Sequence, residues 1–229
     1  MRFQRSRRPR RTLVVLVLLL GTSAVGFGIR KQFITAQRAG TDSYVVPEWE
    51  KYASGGFRIG PAHAPVAVIV FSDFSCSFCR TVASDLRYIR AEHHDSVAEI
   101  YRNFPLTSHQ VGRAAAEASV CASQQGAFAA YHDQLFAHQE DLRMKPWVSF
   151  AKAVGVPDLT VFESCLRDSA TARMVSDDSM AGAELGVQAT PTVLVNELLF
   201  VGAPGRAALA RAVDEQLKKS RALRTAGER

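Results

Sequence analysis

The chain has 229 residues, 47% of them hydrophobic and 22% charged, an ordinary globular composition that excludes disorder, collagen or a disulfide-dense small protein. Its formal net charge of +6 is carried entirely by six arginines (Arg2, Arg5, Arg7, Arg8, Arg10 and Arg11), so residues 12–229 are neutral. A nucleic-acid-binding surface is therefore not supported by charge.

No charged residue interrupts Thr12 to Ile29. A helix of that length spans about 27 Å, slightly short of a hydrocarbon core of about 30 Å. The arginine cluster keeps the preceding end cytoplasmic by the positive-inside rule, which places the chain after Ile29 outside the cytoplasm. Ala24-Val25-Gly26 offers small residues for signal-peptide cleavage, so a cleaved and secreted form is one reading. The length of the uncharged run favours the other, a retained single-span anchor. The expected organisation is a basic cytoplasmic tail at 1–11, a signal-anchor transmembrane helix at 12–29 and a stalk or linker at 30–56. The domain follows at 57–223 and a tail at 224–229. Trp49 is placed to dock onto the domain.

Within the domain, Pro65-Val66-Ala67-Val68-Ile69-Val70-Phe71 is an apolar run rich in β-branched residues and reads as a buried strand. Cys76 to about Glu92 reads as a helix with Val82, Leu86 and Ile89 on one face. Val97 to Tyr101 reads as a second strand, closed by Pro105. From His109 to about Gly186 strand signal vanishes and alanine-rich helical stretches follow one another. It returns at Thr192–Asn196 and Leu198–Val201, before a last helix from about Arg206 to Leu223. A helical block this long exceeds a crossover, so residues 108–186 read as an insertion into an α/β frame.

Cys76-Ser77-Phe78-Cys79 sits at the junction of the first long strand and its helix. In that context a C-x-x-C reads as a thioredoxin-like redox motif. A cysteine at a helix start meets unpaired N–H groups and the positive end of the dipole, which favours thiolate over thiol. The second cysteine, one turn on, can attack a mixed disulfide at the first. A zinc site would want a second Cys/His pair at similar spacing, which His93-His94 lacks. No metal and no small cofactor is expected. Pro191, in Ala189-Thr190-Pro191-Thr192, stands just before the returning strand, where a proline removes a donor and can be cis.

The sequence resembles the DsbA-like thioredoxin-fold thiol:disulfide oxidoreductases of bacterial envelopes over roughly residues 57–220. The resemblance is carried by Gly60-Pro61, Ala64-Pro65-Val66, Phe71-Ser72-Asp73-Phe74, Arg102-Asn103-Phe104-Pro105-Leu106, His109, Ala115-Ala116-Glu117 and Cys121-Ala122. It continues through Gln125-Gly126-Ala127-Phe128, Tyr131-His132-Asp133, Leu135-Phe136, Gly186-Val187, Thr190-Pro191-Thr192 and Val201-Gly202-Ala203. It implies a thioredoxin-like fold with an inserted helical domain. It also implies a cis proline at Pro191 beside the active pair, with Thr190 contacting the sulfurs and the substrate backbone. Three positions depart from the family pattern. Ser77 replaces a common proline, Phe78 replaces the His of strongly oxidising members, and Val70 stands where many members carry a buried acid. Asp73 is a candidate base for Cys79, although a solvated or helix-capping role fits it better.

Cys121 and Cys165 both fall in the helical block among apolar neighbours. An even count in an oxidising compartment favours a structural disulfide between them over two separate buried thiols. His109, His132 and His138 read as packing or capping residues. Phe74, Phe78 and the Thr190-Pro191 segment are expected to form an apolar rim around Cys76. The resulting reading is an extracytoplasmic enzyme in which Cys76 and Cys79 exchange disulfides with exported cysteine-containing proteins. An integral-membrane redox partner would reset the pair. The alternatives are a membrane-tethered polypeptide-binding or assembly module, and a thiol metal carrier.

Overall fold

The computed structural model describes residues 37–38 and 43–227. The expected tail and signal-anchor helix at 1–29 lie outside them. Among the described residues no helix is long and apolar enough to cross a membrane. The described chain forms a seven-stranded mixed sheet with helices on both faces.

The strands are β1 (Gln37–Arg38), β2 (Tyr44–Val45), β3 (Phe57–Ile59), β4 (Val66–Ser72), β5 (Val97–Asn103), β6 (Thr192–Val195) and β7 (Leu198–Val201). Their order across the sheet is β1-β2-β7-β6-β4-β5-β3. β4 and β5 run parallel, and every other pairing is antiparallel. All seven residues of β4 are buried, as expected for a strand covered on both faces. Its alternate side chains serve two cores. Val66, Val68 and Val70 pack under helices α2 (Ser77–Glu92) and α8 (Arg206–Gly227), against Val82, Leu86, Ile89, Leu209 and Val213. Ala67, Ile69 and Phe71 face the opposite layer, with Ile100, Leu194 and Leu199.

The helical block comprises α3 (Gly112–Ser123), α4 (Phe128–Ala137), α5 (Trp147–Ala153), α6 (Leu159–Cys165) and α7 (Ser169–Leu185), with a 3₁₀ turn at Gln139–Asp141. Not all of it is insertion. α7 returns to the sheet on the face opposite α2. There Asp178 accepts hydrogen bonds from Arg102 Nη1 at 2.6 Å and from Asn103 N at 3.0 Å. Gly182 permits this approach, since a Cβ there would meet Phe104 Cδ2 at 2.5 Å. Helical periodicity in the sequence shows which residues share a face, but not whether that face meets the sheet or the insertion.

The described part of the segment expected as a stalk, from Ser43 on, also packs. β2 pairs with β7, and Val46 and Tyr52 are buried against Phe71 and Leu199. Trp49 rests against the same core. The short helix α1 (Glu50–Ala53) carries Tyr52, whose carbonyl accepts from Arg102 Nε at 3.1 Å. These pieces are too short to show a period in sequence. At the far side, Asn196 closes the β6–β7 turn with φ of 47°. Its side-chain oxygen accepts from Ala67 N at 2.8 Å, pinning the hairpin to β4.

Cys121 and Cys165 are joined by a disulfide, with Cα atoms 5.7 Å apart and a sequence separation of 44. It ties α3 to the end of α6 inside the insertion core. Closing a loop of this size contributes up to about 4 kcal/mol through the unfolded chain. Replacing both cysteines by alanine is expected to lower unfolding free energy by about 2–4 kcal/mol. Denaturant titration checks this, and a loss below about 0.5 kcal/mol would show that the bridge stabilises nothing.

Candidate active site

The site forms where β4 ends and α2 begins. Cys76 is the N-cap of α2, in extended conformation (φ −88°, ψ 122°), and Cys79 lies in the first turn. Both are free thiols. Cys76 retains 7% of its surface and Cys79 1%. The helix start aims the backbone N–H groups of Phe78 and Cys79 at the Cys76 sulfur. The Cys79 thiol donates to it as well, and this is the largest cause lowering Cys76 to about 5. Burial opposes the shift, while the Thr190 hydroxyl and the two backbone donors support it. Cys79 moves the other way. Its burial is the main cause and its donation to Cys76 the second, so it stays protonated. The two cysteines therefore divide the work: an exposed-side thiolate and a covered thiol.

The peptide bond Thr190–Pro191 is cis. Thr190 O lies 3.4 Å from Cys76 Sγ and accepts from the thiol. Thr190 Oγ1 is buried without another hydrogen-bond partner, so it is free to donate once the sulfur ionises. The adjoining Pro191 carbonyl accepts from Gly202 N at 2.9 Å, which ties the loop to the end of β7.

The other expected residues separate. Ser77 is the first residue of α2, and its carbonyl accepts from Thr81 Oγ1. Phe78 is 64% exposed and stands beside the pair as expected for a rim. Phe74 does not. Its ring is fully buried, stacked on Tyr101 at 4.9 Å and packed against Phe136 and His132. The aromatic residue before a redox motif turned inward because the insertion supplies an apolar core directly beneath it. His132 packs in that core, and His138 caps the end of α4.

Asp73 is neither solvated nor aimed at Cys79 as a base. Its carboxylate is buried and accepts from Ser75 N (2.7 Å), Leu106 N (2.8 Å) and His109 Nδ1 (2.7 Å). Its backbone is what meets the cysteines. Asp73 N donates to Cys79 Sγ at 3.5 Å, and Asp73 O accepts from Cys76 N at 3.0 Å. Asp73 and His109 were both visible as residues, but spacing alone could not pair them. Gln139 was missed outright. Its Nε2 donates to Phe74 O at 2.6 Å and Cys76 O at 3.0 Å, bracing the loop from the insertion.

Val70 is buried. Ser72, next in the same row of β4, interacts with both the Cys79 thiol and the Tyr101 hydroxyl. A buried acid does occur on this face, but on β5. Glu99, in register with Val68, lies 3.1 Å from Arg90 Nε and 3.7 Å from His132 Nε2. Among the described residues no group of three or more His, Cys, Asp or Glu is placed to hold a metal ion.

A family model described as Thioredoxin matches residues 53–215. Oxidised BdbD from Bacillus subtilis superposes with a TM-score of 0.64 at 24% identity, over 72% of this chain and 94% of that one. The thiol-disulfide exchange protein alpha-DsbA2 from Wolbachia pipientis gives 0.62 at 20% identity, over 73% of this chain and 91% of that one. At such identities the likeness is one of fold. A Na(+)/H(+) antiporter, NhaA 3 of Salinispora tropica, is 35% identical over 171 residues, which cover 74% of this chain but 26% of that protein. NhaA 1 of Mycolicibacterium gilvum is 34% identical over 158 residues, 68% of this chain and 25% of that protein. The chain thus spans about a quarter of the length of the curated relatives it matches.

The opposed shifts give a direct test. In the reduced protein, the rate of Cys76 alkylation is expected to follow a titration near pH 5, far below the free-thiol value of about 8.5. Cys79 should stay unreactive across the same range. Mass-resolved alkylation at each pH measures both, and a Cys76 midpoint at or above pH 8 would refute the donor arrangement.

Proposed function

The chain belongs to the thioredoxin family and has the fold of its DsbA-like members, and from that premise we propose that it is an extracytoplasmic thiol:disulfide oxidoreductase acting on protein cysteines. The observation that carries the reading is the pairing of a stabilised thiolate at Cys76 with a buried, protonated thiol at Cys79.

In the reducing direction, the Cys76 thiolate attacks a client disulfide. One client sulfur leaves as thiolate, and the other forms a mixed disulfide with Cys76. Cys79 then loses its proton and attacks Cys76 Sγ. The client's second sulfur leaves with the electron pair, and Cys76–Cys79 becomes a disulfide. Two electrons have passed from the enzyme to the client. The oxidising direction runs the same steps in reverse: a client thiolate attacks Cys76, Cys79 leaves, and the client's second thiol releases Cys76. Stabilising the Cys76 thiolate stabilises the dithiol relative to the disulfide, which favours the oxidising direction.

Phe78, 64% exposed within one turn of the sulfur, offers apolar surface to a client. The backbone at Thr190 lies against Cys76, where a client strand can pair with it. The arginine cluster and the uncharged run that follows it support an anchored domain facing away from the cytoplasm. The partners are then exported cysteine-containing proteins and an integral-membrane protein that restores the redox state. Ion antiport, named for the curated relatives, belongs to proteins of which this chain matches about a quarter and is not part of this reading.

Trapping tests it. Cys79→Ala removes the resolving thiol, so covalent client adducts should accumulate, vanish on reduction and be absent from Cys76→Ala. If neither variant traps clients while both still bind unfolded polypeptide, a binding module replaces the enzyme.

A further inference from the structure

We propose that His109 is a positioning residue of the dithiol, acting through the Asp73 carboxylate that its ring N–H holds in place. The inference rests on the thiol-exchange reading above and extends it to a residue on the loop after β5.

The Asp73 side chain is fully buried, and its three donors come from two separate segments. Ser75 N belongs to its own loop. Leu106 N and His109 Nδ1 belong to the segment that opens the helical block. A carboxylate can only accept, so Nδ1 of His109 carries the proton in this contact. The remaining side is closed by Gly112, where a Cβ would sit 2.6 Å from Asp73 Oδ1. The carboxylate is therefore fixed from every direction, and His109 is the side chain that does part of the fixing.

The Asp73 backbone converts that placement into chemistry. Its N–H donates to Cys79 Sγ and its carbonyl accepts from Cys76 N. The N–H on Cys79 leaves that thiol's own proton directed at Cys76. A chain of donors thus runs from Asp73 N–H to Cys79 to the Cys76 thiolate, each polarising the next. Moving Asp73 would slacken the first link and weaken the last. The charged and titratable groups around this unit are few. Glu140 and Arg143 line the same cavity as His109, and Tyr101 and Cys79 face Asp73 from the sheet side.

The test measures Cys76 alkylation against pH on the full-length reduced protein, in the wild type and in His109→Ala, His109→Asn and Gly112→Ala. The His109→Ala variant removes the donor. Gly112→Ala crowds the same carboxylate with a Cβ while leaving the His109 ring unaltered. Both should move the Cys76 profile to higher pH by about one unit, a roughly tenfold loss of rate on its rising limb. An asparagine amide can place an N–H where Nδ1 stood, so His109→Asn should restore the wild-type profile, which a general loosening of the fold would not allow. A His109→Ala profile that superimposes on the wild type overturns the proposal. So does a His109→Asn profile displaced as far as that of His109→Ala. Client trapping by Cys79→Ala, run in parallel on an unaltered His109, reports on the exchange reading alone, so failure of either is distinguishable.

Discussion

A thiolate that keeps 7% of its surface has lost most of its water, and an ion so placed persists only where fixed donors replace that water. The architecture around Cys76 follows from this demand. A helix begins at the sulfur, so backbone N–H groups point at it. The second cysteine stays protonated because it is buried beneath the first turn, which leaves it free to donate upward. The Thr190 hydroxyl adds a further donor to the sulfur. Two chemically identical side chains, three residues apart, reach opposite protonation states through position alone.

Holding those donors still is the task of the rest of the fold. β4 ends at the site and is buried on both faces, so its last residues have nowhere to shift. The loop between β4 and α2 is braced twice from the helical block, by His109 through Asp73 and by Gln139 through the Phe74 and Cys76 carbonyls. Phe74 anchors it a third time by entering the insertion core. The insertion is thus more than a cover over the cysteines. It supplies contacts that hold the cysteine loop in place.

Much of this was legible in the sequence where a local pattern had a local cause. The apolar run at 65–71 became β4 at Val66–Ser72, and the Val82, Leu86 and Ile89 face of α2 packs on the sheet. The C-x-x-C stood out because its chemistry depends on a spacing within one turn. What stayed hidden depends on partners far away. β5 runs to Asn103 although Arg102 and Asn103 are polar, because Asp178 reaches them from α7. Phe74 read as rim because nothing nearby in sequence shows the core that buries it. Asp73 read as a capping or solvated acid because its closest side-chain partner lies 36 residues downstream.

The strand pairing at the amino-terminal edge has a practical consequence. β2 hydrogen-bonds to β7, while Val46 and Tyr52 fill the layer beneath. A chain cut at Phe57, where the sequence alone would place the start of the domain, would leave β7 with an unpaired row of backbone groups beside a bare apolar surface. Such an edge is a template for other strands, including those of a second copy. The residues that lead into the domain therefore cover its β7 edge, and a shortened domain needs them for the same reason.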